Sequence, residues 1–250
     1  MSQRFLETVE CPYCLSKGDF EFWDSVNVDL NPELRERLFN EELFVYHCDK
    51  CGHDSMVPYG MIYHDMTHGF MLFFDFDRSP DSEHDDLILP DPEQMGVRNN
   101  YIFRIVYGLD ALKEKILILE HELNDVAIER MKYFISHVTY PDLTENGYEL
   151  YFVGERYTGK GYDKKSLVFY YQDDKELDME IEVSKDEYYE YCLACEVDPR
   201  MSVSKCQCVD AEWMDLQLKE EWPSWQSLNQ IAMDSRGYAT TPDGIWWIAV

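Results

Sequence analysis

The sequence lacks any long apolar run. No segment approaches the roughly 20 consecutive apolar residues that a membrane-spanning helix needs, and residues 1–10 contain no apolar core of the kind found in secretory signal peptides. We therefore expect a cytoplasmic protein that does not associate with membranes. The eight cysteines of the chain are then expected to be metal-held thiols, because disulfides are rare in reducing compartments.

Basic residues are also scarce. The chain has 22 lysines and arginines against 50 aspartates and glutamates, which gives a formal net charge of −28. Affinity for a phosphate backbone comes from lysine and arginine contacts, so this balance disfavours nucleic-acid binding. Half of the net charge lies in the segments 75–93 and 173–190. Such segments form either a solvated surface or a docking face that attracts a basic protein partner by electrostatic steering.

Complete catalytic motifs are absent too. The sequence has no Gly-x-Ser-x-Gly and no dinucleotide-binding fingerprint, and His121-Glu122 lacks the second histidine of a zincin. The segment 154–161 resembles a phosphate-binding P-loop, but Gly161 stands where a serine or threonine must reach Mg²⁺. A strand pattern follows this segment where a P-loop requires a helix, so we predict a hairpin loop.

Two alternatives to a protein-binding role stay open. A histidine near two carboxylates would support acid–base chemistry, so an enzyme site would lie in the region of His64, Asp75 and Asp77 or in the second domain. Carboxylates are abundant in this chain, however, so their proximity in sequence is expected by coincidence. A nucleic-acid contact would fall on the segment from Arg156 to Lys165, which is the densest basic part of the sequence.

Two Cys-x-x-Cys pairs near the start are the strongest chemical signal. Two intervening residues let both thiolates of a pair point at one ion from a tight turn, and Pro12 and Gly52 supply turn-compatible backbone conformations. Four thiolates complete a structural zinc site and leave no position for substrate or water. The flanking His47 and His53 are expected to lie near the ion without ligating it. The sequence thus predicts a structural Zn²⁺ held by Cys11, Cys14, Cys48 and Cys51.

A second set of cysteines combines a Cys-x-x-Cys pair with a Cys-x-Cys pair ten residues later. The Cys-x-Cys half departs from the usual spacing of zinc ligands, in which about two to four residues intervene. A second zinc site and a group of buried free thiols are both compatible with this pattern. The candidate ligands are Cys192, Cys195, Cys206 and Cys208.

Apolar periodicity predicts a mixed α+β fold. Asn31-Pro32 indicates a helix start with Asn31 as N-cap, and two stripes at helical spacing after Asp110 and Asn124 predict a helical hairpin in the core. The segment 178–183 alternates cleanly, as a strand of a sheet with one solvated face does. Strands are predicted at 20–28, 43–47, 56–63, 70–76, 148–153, 166–172 and 178–183.

The order of these motifs resembles the CpXC domain family of bacterial proteins. After Cys-Pro-x-Cys come Asn-Pro-Glu-Leu, Cys-x-x-Cys-Gly and Pro-Tyr-Gly-Met-Ile-Tyr-His-Asp at 58–65. Asp49 departs from the family, which often has a proline there. The resemblance implies metal-held cysteines and no established activity. It covers residues 5–190 and continues through 114–116, 123–125 and 128–129 to Lys132.

Together these patterns predict a non-enzymatic, acidic, zinc-binding protein that acts through protein–protein interaction. It would be an adaptor or an inhibitor of a basic partner, and an immunity-type inhibitor of a toxin or nuclease is one concrete version. The predicted organisation is a zinc-ribbon-like module at 1–76, an acidic proline-containing linker at 77–97, an α+β domain at 98–191 with a helical hairpin and an antiparallel sheet, and an aromatic-rich region at 192–250.

Overall fold

The computed structural model describes residues 2–77, 101–158, 164–172, 178–203, 206–218, 238–240 and 246–248. Helices and strands both contribute, which confirms the predicted α+β class. The strands are β1 (Gln3–Glu10), β2 (Lys17–Asn27), β3 (Val45–His47), β4 (Asp54–Met56), β5 (Met61–Asp65), β6 (Phe70–Asp75), β7 (Ile102–Tyr107), β8 (Tyr151–Thr158), β9 (Lys164–Gln172), β10 (Asp178–Ser184), β11 (Cys206–Cys208), β12 (Tyr238–Thr240) and β13 (Trp246–Ile248). The helices are α1 (Glu33–Phe39), α2 (Leu109–Glu120), α3 (Asp125–Phe134), α4 (Pro141–Glu145), α5 (Lys185–Val197) and α6 (Ala211–Leu218).

The largest sheet has six strands in the order β1-β2-β5-β6-β7-β11. Strand β6 lies near its centre and reads as an unbroken apolar run, Phe-Met-Leu-Phe-Phe, with all five side chains buried. Both faces of a central strand must be covered, which explains why this strand does not alternate. Strand β6 pairs in parallel with β7, and β7 pairs in parallel with β11.

The pairing of β6 with β7 joins chain segments on either side of the predicted linker. That linker, 77–97, lies outside the described residues except for Asp77. The hydrogen-bonded register nevertheless runs from Phe70↔Ile102 to Asp75↔Tyr107. The cysteine-bearing strands and the start of the next segment therefore share one sheet, and the domain boundaries themselves stay predictions.

Helix α1 fills the gap between the two cysteine pairs and buries Leu34 and Leu38 against this sheet, as predicted. Its N-terminus differs from the prediction. The helix begins at Glu33 without a side-chain cap, and the Asn31 side chain donates to the Glu33 carboxylate instead. Pro32 already has helical backbone angles, so the preset φ of proline starts the helix without the cap.

Helices α2 and α3 form the predicted hairpin. The side chain of Asn124 caps α3 by accepting hydrogen bonds from the backbone N–H groups of Val126 and Ala127. Beyond α3 the chain continues as a π-helical turn, Ile135–Thr139. One core lies between the six-stranded sheet, α1 and α2, and a second core lies between α3, α5, α6 and the β10-β9-β8 sheet.

Strands β8 and β9 pair antiparallel, as the two arms of a hairpin do. The predicted bounds of the hairpin loop, 154–161, were wrong at the start, because residues 154–158 are part of β8, and residues 159–163 lie outside the described part. Strand β10 continues the sheet and leads into α5, which Ser184 caps through the backbone N–H of Glu187. Within the described residues, every helix is too short or too polar to cross a membrane.

Candidate metal centre and buried ionic network

The first two cysteine pairs lie in two turns that are built alike. Cys11 and Cys14 lie between β1 and β2, and the second pair lies between β3 and β4. In each turn the residue after the second cysteine donates its backbone N–H to the carbonyl of the first: Leu15 to Cys11 at 2.9 Å, and Gly52 to Cys48 at 2.8 Å. The same local geometry thus presents each pair of thiols on one side of its hairpin.

Both turns require a residue in the left-handed backbone region. Gly52 has φ +72°, as the sequence predicts for a glycine at this point, and Leu15 has φ +58°. A non-glycine residue is unusual there because its Cβ approaches the following carbonyl oxygen, at a cost of roughly 1–2 kcal/mol. Leucine carries no sequence signal for a turn, so this feature was not predicted.

The four thiol sulfurs converge. All four Sγ atoms lie within 4.8 Å of one another, with Cys11 Sγ 3.6 Å from Cys51 Sγ and Cys14 Sγ 3.7 Å from Cys48 Sγ. Four sulfurs at tetrahedral corners about 2.3 Å from a metal ion would lie about 3.8 Å apart. The four predicted ligands, Cys11, Cys14, Cys48 and Cys51, therefore lie together, and their spacing is consistent with a tetrahedral four-thiolate metal site.

A serine hydroxyl bridges the two turns. Ser16 Oγ lies 2.9 Å from Cys14 Sγ and 3.2 Å from Cys48 Sγ. Its hydrogen bond is the largest cause that lowers the pKa of Cys14, and together with the backbone N–H of Cys51 it lowers the pKa of Cys48 to about 5. Stabilised thiolates are the form that binds metal. The role of Ser16 was not predicted, although its place two residues after a Cys-x-x-Cys pair is a local signal.

The predicted role of the flanking histidines agrees with their positions. His47 Nδ1 lies 2.6 Å from a carboxylate oxygen of Asp54, and the His53 ring stacks on Tyr13 with centroids 4.4 Å apart. Asp54 raises the pKa of His47 through that hydrogen bond. Both rings are therefore engaged outside the sulfur cluster.

The four cysteines of the second set do not lie close together in the structure. Within the described part of the chain, the one group of potential metal ligands is the first set. Cys192 and Cys195 lie on α5 and pack with the core of α3 and α6, whereas Cys206 on β11 packs with Phe103 on another face of the large sheet. Cys208 Sγ donates to Asp210. Because α5 and β11 face different cores, the pattern predicted from spacing alone is not realised as a cluster.

The thiols of the second cysteine set lie in apolar surroundings, and burial favours their protonated form. It raises the pKa of Cys192 and Cys195 and raises that of Cys206 to about 11. Thiols in this environment stay protonated near neutral pH, and free buried cysteines behave as small apolar side chains. The positions of these residues thus favour the alternative of buried thiols.

The residues of the enzyme hypothesis are dispersed. On β5, His64 stands opposite Met71 of β6, and Asp75 lies at the far end of β6, four residues or about 13 Å away. The His64 ring contacts Asn27 and Tyr101, and burial lowers the pKa of His64. Asp75 accepts from the backbone N–H of Phe76. His64 and Asp75 therefore do not form a joint acid–base site, and Asp77 is exposed two residues beyond Asp75.

The basic segment of the nucleic-acid hypothesis is largely neutralised where it is described. Arg156 donates to Glu180 and Glu182 across the sheet, and Lys165 pairs with Glu155. Cross-strand pairs of opposite charge stabilise a sheet. Arg156 and Lys165 therefore stabilise the sheet and offer little positive potential to a phosphate backbone.

A buried ionic network is the main feature that sequence analysis missed. The carboxylate of Asp125 accepts hydrogen bonds from Arg104 at 2.7 and 3.0 Å and from Lys115 at 3.3 Å. The carboxylate of Glu114 accepts from Lys132 at 2.9 and 2.8 Å and from the backbone N–H of Phe152 at 2.7 Å. The six buried members are Arg104, Glu114, Lys115, Asp125, Glu129 and Lys132.

Five of these six residues lie within the segments that carry the CpXC resemblance. Asp125, Glu129 and Lys132 are spaced i, i+4, i+7, which places them on one face of a helix, whereas only the apolar stripe of Ile128, Met131 and Ile135 was predicted from the sequence. This spacing could have indicated a charged face on α3. The partners of these side chains were not predictable, since Arg104 and Glu114 come from other elements.

Comparison with known proteins supplies one match. Residues 9–132 match the model of a protein family described as CpXC protein. The matched segment includes both cysteine turns and ends at Lys132, so it contains the metal centre and the whole ionic network. No curated protein and no solved structure matches the chain.

Proposed function

We propose that this protein, whose residues 9–132 belong to the CpXC family, holds one structural zinc ion and acts by binding a basic protein partner. The partner would be recruited or inhibited, and an immunity-type inhibitor of a toxin or nuclease is one version of this role. The zinc ion stabilises the scaffold, and the acidic surface selects the partner.

The choice of zinc rests on the convergence of four sulfurs within 4.8 Å. A tetrahedral set of four thiolates suits zinc or iron, and paired turns of this kind are typical of structural zinc sites. Four protein ligands leave no coordination position for a reacting molecule. These features support a structural role.

The surface of α5 supports the interaction role. Tyr189, Leu193 and Val197 are 52, 56 and 82% exposed, and their spacing of four residues places them on one face of the helix. Exposed acidic residues, among them Asp186, Glu190 and Glu196, lie on the same helix. A contiguous apolar stripe in solvent marks an interaction site, and the acidic residues favour an amphipathic partner segment that carries lysine or arginine at its edges.

Metal content is the first test of this proposal. Elemental analysis of the native protein should give one zinc per chain, and titration under denaturing conditions after zinc removal should give eight thiols. In the native state, the four thiols of the first set should be protected by the metal. Two zinc ions per chain would show that the second cysteine set also binds metal, and iron or no metal would contradict the proposal.

Partner binding is tested with a variant of the α5 stripe. Leu193→Asp should abolish stoichiometric capture of a basic protein at low salt, while the matched variant Leu6→Asp should retain it. Leu6 is a suitable control because it is 69% exposed and lies on β1, away from α5. Wild-type capture should weaken as salt rises, because exposed charges are screened. Equal capture by both variants, or no stoichiometric partner at any salt, would contradict the docking role.

A further inference from the structure

A pocket of about 660 Å³ opens beside the ionic network. Its floor includes Glu114, Glu129 and Lys132, and its wall includes the π-helical turn Ile135–Thr139 through Ser136 and His137. The volume is in the range of small-molecule sites, and single π-helical turns often occur at functional sites. This pocket is separate from the sulfur cluster and from the α5 stripe.

The ammonium group of Lys132 is shared between two carboxylates. It donates to both oxygens of Glu114, at 2.9 and 2.8 Å, and to Glu129 Oε1 at 3.4 Å. Glu129 Oε2 lies 3.2 Å from the same nitrogen, an ion-pair contact that lacks hydrogen-bond geometry.

The second lysine is also engaged elsewhere. Lys115 Nζ donates to Asp125 at 3.3 Å and to the carbonyl of Val209 at 2.7 Å, and it stays 3.7 Å from Glu129 Oε1. Glu129 Oε2 is therefore buried in an ion pair but accepts no hydrogen bond from the described residues. The side chain is 2% exposed and lines the pocket. A buried acceptor without a hydrogen bond is unfavourable, so a donor that enters the pocket and reaches this oxygen would be bound favourably.

The surroundings select the charge of that donor. Eight carboxylate side chains line the pocket against Lys115, Lys132 and His137, and both lysines are held within the network. Tyr133, Tyr148 and Tyr151 also line the pocket. One face of each ring is engaged, by His137, Tyr171 and Lys132 respectively, and the other face can attract an organic cation. A metal ion is a poorer occupant, because within the described residues the ligand atoms of these carboxylates do not converge as the sulfurs do.

We propose that this pocket binds a small organic cation, a primary ammonium or guanidinium compound, whose N–H group donates to Glu129 Oε2. The charge-assisted hydrogen bond satisfies this oxygen at the floor, and the tyrosine rings cover the aliphatic part of the ligand. Carboxylates nearer the opening, including Asp110, Glu149 and Asp215, attract the cation from solvent.

Calorimetric titration of the metal-loaded full chain tests this binding. The probes are 1,4-diaminobutane and agmatine as cations, with butyrate and 1-butanol as anionic and neutral controls. Saturable binding is expected for the cations alone. Preference for butanol over both cations, or no saturable binding of either cation, would overturn the proposal.

Two substitutions locate the site. Glu129→Gln should weaken cation binding by about tenfold or more, because charge-assisted hydrogen bonds are worth roughly 1.5–3 kcal/mol. Asp215→Asn, at a half-exposed position near the opening, should weaken it by about two- to threefold through lost long-range attraction. The control Glu182→Gln removes a carboxylate from β10, outside the pocket, and should leave binding unchanged.

Each outcome bears on the proposal. Undiminished binding by folded Glu129→Gln would place the cation elsewhere and overturn it. If Glu129→Gln fails to fold, Asp215→Asn decides, since binding equal to that of Glu182→Gln would contradict the pocket as the site. The α5 variant Leu193→Asp should bind the probes normally, so failure of the partner-docking role and failure of this site are separable.

Discussion

The open side of Gly18 is occupied by the hydroxyl of Tyr46. A Cβ atom built on Gly18 would clash with Tyr46 Oη and lie 3.1 Å from Cζ. Tyr46 is 6% exposed and packs with Phe20 and two of the site cysteines in the small core under the metal centre. The glycine thus lets one hairpin approach the other closely enough for the four sulfurs to meet.

Gly18→Ala should therefore weaken the metal site. The added methyl displaces the Tyr46 ring, and overpacking of this kind costs about 1–3 kcal/mol. We expect a lower midpoint of chemical denaturation for the metal-loaded protein and faster loss of metal to a competing chelator. Both are measured by denaturant titration and by a colorimetric chelator assay.

The double variant Gly18→Ala/Tyr46→Phe is the control for this explanation. Removal of the hydroxyl relieves the shortest contact, so it should restore part of the lost stability relative to Gly18→Ala. Strictly additive effects of the two substitutions would refute the steric coupling.

Substitutions at the positive-φ residues of the two cysteine turns, Gly52 and Leu15, should change the stability of the protein in opposite directions. Gly52→Ala should destabilise the metal-loaded protein by about 1 kcal/mol, since its Cβ would meet no atom within 4 Å and the cost is that of the backbone alone. Leu15→Gly should be neutral or stabilising by up to about 1 kcal/mol, because it relieves the same strain at a position that is 70% exposed. Denaturant titration of both variants checks the pair. A clear loss of stability in Leu15→Gly would show that the leucine side chain itself stabilises the turn.

Asp125 should make the fold acid-sensitive. Burial alone raises the pKa of this carboxyl, but Lys115 and Arg104 outweigh it and lower the pKa to about 2, below the ordinary 3.8. A lowered folded-state pKa stabilises the fold above the unfolded-state value, and that stabilisation is lost as the pH falls from about 4 towards 2. Asp125→Asn leaves two buried cations without their partner, which costs about 3–5 kcal/mol near neutral pH.

Stability measured from pH 7 to pH 2 checks this assignment. The difference between wild type and Asp125→Asn should be largest above pH 4 and should narrow below it. The matched control is Asp19→Asn, at an exposed position, which should follow the wild-type curve. A difference that stays constant across this range would mean that the ionised carboxylate of Asp125 is not what the buried cations require.

The sequence predicted those features that depend on local spacing. The first cysteine set is a clear case, because each Cys-x-x-Cys pair closes within one turn, and the left-handed conformation of Gly52 follows from the same turn. The apolar faces of α1, α2 and α3 were predicted for the same reason, since helical periodicity is contained in a few consecutive residues.

Features that depend on distant chain segments were not predictable in this way. Cys195 and Cys206 are close in sequence, yet the parallel pairing of β11 with β7 carries Cys206 into a different core. The partners of Asp125 and Glu114 are likewise set by how α2, α3 and β7 pack together. The charged positions were visible in the sequence, but only the fold decides which charges neutralise one another.

Removal of the metal should destabilise the two cysteine turns and leave helix α3 folded. Strands β3 and β4 have three residues each, and an isolated two-stranded hairpin is at best marginally stable in water. The core beneath it contains four buried residues, two of which are site cysteines. Without the metal, this hairpin and the turn between β1 and β2 therefore lose their main cross-link.

Amide hydrogen exchange of the metal-loaded and chelator-treated protein measures this effect. Exchange should accelerate in residues 9–18 and 44–57, whereas α3 should keep its protection because it packs in the separate core of α5, α6 and the three-stranded sheet. The variant Cys48→Ser should reproduce the chelator pattern, and Cys192→Ser should resemble the metal-loaded protein. Loss of protection throughout α3 on chelation would mean that the metal centre and the second core unfold as one cooperative unit.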